Sequence, residues 1–106
     1  MERLTKNALF IALGPFVSVE NAPSRNGYGK APNQFIINFK NGKVLQSYDS
    51  IVAFIANGER FVTTKHDYST TTSRFVGQFL GGMNLAARRK AIKNGELTRV
   101  DLVEQL

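Results

Sequence analysis

The stretch QFIINFKNGKVLQSYDSIVAFIANGERFVTT, residues 34–64, decides the fold. Four runs in it, Gln34–Phe39, Val44–Tyr48, Ile51–Ala56 and Arg60–Thr64, are rich in aromatic and β-branched side chains. Such side chains suit a pleated, half-buried surface. Asn41-Gly42 and Asn57-Gly58 stand between the first and second pairs of runs. Asn-Gly tolerates the positive φ that a tight hairpin turn needs, so each marks a hairpin. Asp49-Ser50 predicts a bulge or bend between the two hairpins. The expectation is an antiparallel β-meander.

Upstream, Leu9–Leu13 is short and apolar, Gly14-Pro15 punctuates it, and Phe16–Val19 alternates apolar with small polar residues. Proline cannot donate to a sheet ladder, so these residues read as a strand kinked at Gly14-Pro15. A helix over Leu4–Leu13 competes with that reading. Downstream the period changes. Phe75, Val76, Phe79 and Leu80 share one helical face, and Ser69, Thr70 or Thr71 supplies an N-cap. Gly81-Gly82 ends that helix. Asn84 caps a second helix, Leu85–Lys93. Thr98 and Asp101 resemble a capping box for a last helix, Arg99–Gln105.

The fold class expected is therefore α+β, with a meander of four to five strands, one packed helix and two short C-terminal helices. Residues 1–81 form the core domain and residues 82–106 a short basic helical extension. Phe35, Ile37, Phe39, Val52, Phe54, Phe61, Phe75, Phe79 and Leu80 are core candidates. Strand alternation sends some of them to the face opposite the packed helix. If that face is uncovered, it suits a partner or a second copy of the chain.

The chain has 106 residues, 42% of them hydrophobic, which is ample for one core. It has no cysteine, which excludes disulfides, thiolate metal sites and cysteine nucleophiles. The longest early apolar run, Ala8–Leu13, is too short to span a bilayer. A cytoplasmic setting is the expectation. The net charge is +6, which favours an acidic protein or nucleic acid as partner. The cations fall in two clusters: Arg25, Lys30, Lys40 and Lys43, then Arg88, Arg89, Lys90 and Lys93. Arg74 lies in the first turn of the packed helix. These nine are the candidate partner- or nucleic-acid-binding residues. Tyr28, Phe35 and Tyr48 could interleave with the first cluster for base stacking.

Chemistry is harder to find. NAPSRNGYGKAPNQF, residues 21–35, approaches two phosphate motifs and satisfies neither. A Walker A loop fails at Ser24 and Ala31, and a dinucleotide loop fails at Pro32. The stretch then reads as a long connector, with Arg25 and Lys30 available to an anion. His66 is the single histidine. Asp67 follows it directly, and neighbours in extended chain point to opposite faces. The eight acids show no obvious pairing for hydrolysis or metal binding. A non-enzymatic protein without cofactor or metal is expected.

Three blocks, NAPSRNGYGKAPNQFII (21–37), LQSYDSIVAFI (45–55) and YSTTTSRFVGQFLG (68–81), resemble an uncharacterised family of short proteins from bacteriophages, prophages and bacteria. The resemblance covers about Asn21–Gly81. It implies a phage setting and supplies no catalytic residue. It points to a small protein engaging a host or phage protein, with inhibition of a defence or nucleic-acid-processing enzyme as one form. Direct nucleic-acid binding through the two basic clusters is the alternative.

Overall fold

The computed structural model describes residues 2–24 and 29–104. Seven strands and three helices follow in the order β1 (Glu2–Thr5), α1 (Lys6–Leu13), β2 (Phe16–Pro23), β3 (Lys30–Phe39), β4 (Gly42–Ser47), β5 (Ser50–Ala56), β6 (Glu59–Thr63), α2 (Thr70–Phe79), α3 (Leu85–Lys93) and β7 (Thr98–Val103). The strands make one sheet, ordered β1-β7-β6-β5-β4-β3-β2. The α+β class holds, but four to five strands is an undercount.

The meander from β2 to β6 is antiparallel throughout. Both Asn-Gly turns sit at hairpin ends, with Asn57 at φ 52° and Gly58 at φ 82°. The bend predicted at Asp49-Ser50 is a two-residue turn, Tyr48-Asp49, closed by the pair Ser47 and Ser50. The register shift falls earlier, between Leu45 and Gln46.

Three expectations are corrected. Leu9–Leu13 is helical, as the competing reading had it. Thr5 Oγ1 accepts from the Ala8 amide at 3.0 Å and caps the start. Gly14 at φ 77° ends the helix, its amide donating to Phe10 O at 3.1 Å. The β3–β4 turn then meets the carbonyls that a helix end leaves unpaired. Asn41 N donates to Leu13 O, and Lys40 N to Pro15 O just beyond, both at 2.9 Å. Second, the last helix expected at Arg99–Gln105 is strand β7. It lies between β1 and β6 and runs parallel to both. Val100 and Leu102 alternate toward α1 and join its apolar cluster. Period two, with β-branched Thr98, Val100 and Val103, prevails over the Thr98/Asp101 cap signal. Third, much of the expected connector 21–35 is strand, since Pro23 pairs with Lys30 and Asn21 with Phe35.

Two apolar layers flank the sheet. On one face, Phe75, Val76, Phe79 and Leu80 of α2 and Ala91 of α3 pack with Leu45, Val52 and Val62. On the other, Leu9 and Leu13 of α1 pack with Val44, Phe54 and Val100. Gly42 lets α1 approach: a Cβ there would stand 2.0 Å from Ile55 O and 2.8 Å from Leu13 Cδ2. The two helical layers differ in reach. Eight residues of α1 extend about 12 Å, while six inter-strand gaps make the sheet about 29 Å wide. One short helix cannot cover that face.

Candidate partner-binding site

The uncovered part lies at the β2 edge. Val19 pairs with Ile37, and Phe16 with Phe39. Ile37 and Phe39 pack on the α1 side, so their cross-strand partners face that side too. Phe10 of α1 completes the cluster. Its ring centroid lies 5.6 Å from that of Phe39, and Phe16 lies 6.2 Å from Phe39. These side chains remain open to solvent: Phe16 is 60% exposed, Val19 55% and Phe10 39%. Ile11 and Val17 are also exposed, at 72% and 62%. Isolated exposed apolar residues are ordinary, but a contiguous group marks a contact surface. Sequence reading did not single out Phe10, Ile11, Phe16 and Val17 as exposed. The available signal was the apolar density of Leu9–Val19, too great for one narrow buried stripe.

The predicted cations divide by location. Lys43 reaches from β4 over the Phe79 ring at 5.2 Å, and Arg74 sits over Phe75 at 5.3 Å. Phe75 and Phe79 are four apart on α2, so both cations flank one aromatic stripe. Lys43 also lines a groove of about 360 Å³ with Pro23, Ser24, Phe75 and Phe79. Lys30 is paired with Pro23 beside it. These cations do not share one site: Arg74 lines a separate groove with Asp67, Ser73 and Gln78, and Lys30 precedes Ala31, which packs on the α2 side, so Lys30 faces the other way. Arg74 Nε is buried without a hydrogen-bond partner among the described residues. Arg25 and Tyr28 lie outside the described residues. Lys40 is exposed in the β3–β4 turn, away from α2. Tyr48 is exposed in the β4–β5 turn, and Phe35 is half-buried on β3.

The second cluster splits as well. Arg89, Lys90 and Lys93 are exposed on α3, whereas Arg88 is fully buried. Arg88 Nη1 donates to Met83 O at 2.8 Å and to Ser73 O at 3.1 Å. Nη2 donates to Ser73 Oγ. Nε donates to His66 Nδ1 at 3.2 Å. Arg88 is therefore an internal tie between α2, α3 and the β6–α2 connection. It is not presented to a phosphate. Burial lowers its pKa, Asp67 opposing and Arg89 assisting. His66 is buried beside it, its pKa lowered chiefly by burial and further by Arg88, Arg99 and Arg89, against the pull of Asp67. A nitrogen that accepts from a guanidinium carries no proton, so the imidazole is neutral. Among the described residues, no three of His, Asp and Glu gather as a metal site.

Residues 19–95 match the model of a family of unknown function, DUF8033. The chain belongs to that family. The DUF8033 match takes in β3 to α3, Lys30, Lys43, Arg74 and the Arg88–His66 tie. Strands β1 and β7, helix α1, Phe16 and Val17 lie outside it. No curated protein and no solved structure matches the chain. No helix among the described residues is long and apolar enough to cross a membrane.

Proposed function

We propose that the chain is a non-enzymatic binding module that holds a protein partner through the apolar surface of Phe10, Phe16, Val19 and Phe39. The exposed aromatic cluster at the β2 edge is the observation that carries the reading. Register shifts at Phe16/Ser18 and at Asn21/Pro23 break the regularity of β2. Side-chain contacts, rather than strand addition, then supply recognition. The net charge of +6 favours an acidic rim on the partner. The likeness to short phage and prophage proteins suggests a partner from host or phage, met in the cytoplasm. Inhibition of a defence or nucleic-acid-processing enzyme is consistent with such contact.

Affinity capture from infected or host lysate, with and without nuclease, tests this. One protein recovered equally in both supports it. Recovery that vanishes with nuclease overturns it.

A second reading rests on Lys43 and Arg74, which lie over the Phe79 and Phe75 rings of α2. Cations beside aromatic rings suit a nucleic-acid strand. A gel-shift salt titration decides, because phosphate contacts weaken steeply as rising salt makes counterion release less favourable. No binding to single- or double-stranded DNA or RNA at low salt removes the reading.

A further inference from the structure

The β4–β5 turn and the β6–α2 connection are about twenty residues apart in the chain, and they enclose a cavity of about 530 Å³. That volume lies within the range of about 300–1,000 Å³ typical of small-molecule sites. Seven of its ten lining residues are Ser, Thr or Tyr. Two tyrosines flank it, Tyr48 at 57% exposure and Tyr68 at 80%. Neither ring is buried in the core, so packing does not explain them.

Tyr48 also carries backbone strain. Its φ is 56°, in the left-handed region that favours glycine. A hairpin turn with positive φ at its first central residue ordinarily takes glycine there. Tyr48 N donates to Asn33 O at 2.6 Å, and Gln46 Nε2 donates to Tyr48 O at 3.0 Å. The strained backbone is thus held, with an exposed ring as the result. Strained residues of this kind cluster at binding and active sites.

The charges in the cavity compensate each other. Lys65 Nζ donates to Ser50 Oγ at 3.3 Å, and Ser50 Oγ donates to Asp49 Oδ1 at 3.2 Å. One cation and one carboxylate are thus joined through a hydroxyl. An anion would meet Asp49, and a cation would meet Lys65. A neutral ligand meets neither penalty.

We propose that this cavity binds a sugar ring of a neutral saccharide. Tyr48 and Tyr68 offer flat apolar faces to the ring's C–H bonds, and their polar tips remain wet. Asp49, Ser50 and Thr71 offer acceptors and donors matched to sugar hydroxyls. The site is separate from the apolar surface at β2.

The test is a titration of the 15N-labelled full chain with glucose, galactose and N-acetylglucosamine. Inorganic phosphate and adenosine serve as comparison arms. Amide shifts report location. Emission adds a second readout: the chain has no tryptophan and three tyrosines, two of them at the cavity. Saturable shifts with at least one sugar, confined to residues 47–52 and 65–72, are expected. Tyr68→Ala should weaken that binding about tenfold, and Tyr68→Phe should retain it. Tyr48→Gly should abolish binding while holding or raising Tm, because glycine relieves the strained φ. No saturable shift with any of the three sugars overturns the proposal. So does binding of phosphate or adenosine alone, or unchanged sugar affinity in both Tyr68→Ala and Tyr48→Gly.

Discussion

Arg88 Nε donates to Nδ1 of His66 at 3.2 Å, and both side chains are buried. One cation of the α3 cluster and the single histidine thus satisfy each other inside the fold. The remaining guanidinium donors go to Ser73 and Met83. Neither carbonyl is a formal charge, so the guanidinium is held by dipoles in charge-assisted bonds. Arg88→Ala leaves these acceptors unpaired and opens a void. It should cost at least about 3 kcal/mol. Arg88→Met restores volume without donors and should recover only part. Arg89→Ala and Lys90→Ala, on the exposed side of α3, should stay within about 0.5 kcal/mol. Urea unfolding at constant m-value measures all four.

The same contact sets a pH dependence. The His66 pKa is lowered in the folded chain, mainly by burial, from an unfolded value of about 6.5. Between those two values the unfolded chain binds more protons than the folded one. Stability is therefore full above the unfolded pKa and falls as pH drops toward the folded one. The slope cannot exceed about 1.4 kcal/mol per pH unit for one group. Protonation would also place a second cation against Arg88. Thermal unfolding of wild type and His66→Gln at pH 7.5 and pH 5.5 checks it. The wild type should lose more stability on acidification than the variant.

How much of this was legible follows from how local each feature is. The hairpins were legible because an Asn-Gly turn and its flanking runs lie within a few residues. The caps Ser69 and Asn84 were legible for the same reason: each side chain accepts from an amide three residues on, Thr72 and Ala87. Strand β7 was not, since its partners β1 and β6 are distant in sequence and its pairing is parallel. Arg88 read as an exposed cation. Its burial depends on carbonyls of Ser73 and Met83 that only the α2–α3 packing brings together. That apolar residues reach the sheet face opposite α2 followed from alternation alone. The uncovered residues there could not be named until α1 was known to be a short helix.

Gly42 gives a packing prediction. It lies at the start of β4 and pairs with Ala56. An added Cβ would meet a backbone oxygen, Ile55 O, at 2.0 Å. Backbone cannot rotate aside as a side-chain tip can. Gly42→Ala must therefore shift β5 or loosen the seat of Leu13, at a cost of about 1–3 kcal/mol or more. The corresponding change at Gly58, where no atom lies within 4 Å of the added Cβ, meets only the strain of its positive φ. Comparing the two variants by urea unfolding separates steric from conformational cost. Gly42→Ala should be the more destabilised, and its amide shifts should spread into α1.

The β2 surface gives the prediction closest to function. Natural sheet edges are guarded by lysine, proline or bulges. Here the bulges and Pro23 lie toward the ends of β2, and Glu20 is the strand's single charge. These guard the backbone edge, while the Val19 side chain remains open. Val19→Asp and Phe16→Asp place charge on the surface without entering the core. Both sites are more than half exposed, so stability should change by about 0.5 kcal/mol or less. Partner recovery in affinity capture should nevertheless fall to background. Val19→Thr keeps the branched shape and should bind with intermediate strength. The salt slope of any nucleic-acid binding should not change, because neither variant touches Lys30, Lys43 or Arg74. If capture survives both Asp variants while Lys43→Ala or Arg74→Ala removes it, recognition runs through the cations beside Phe75 and Phe79 instead.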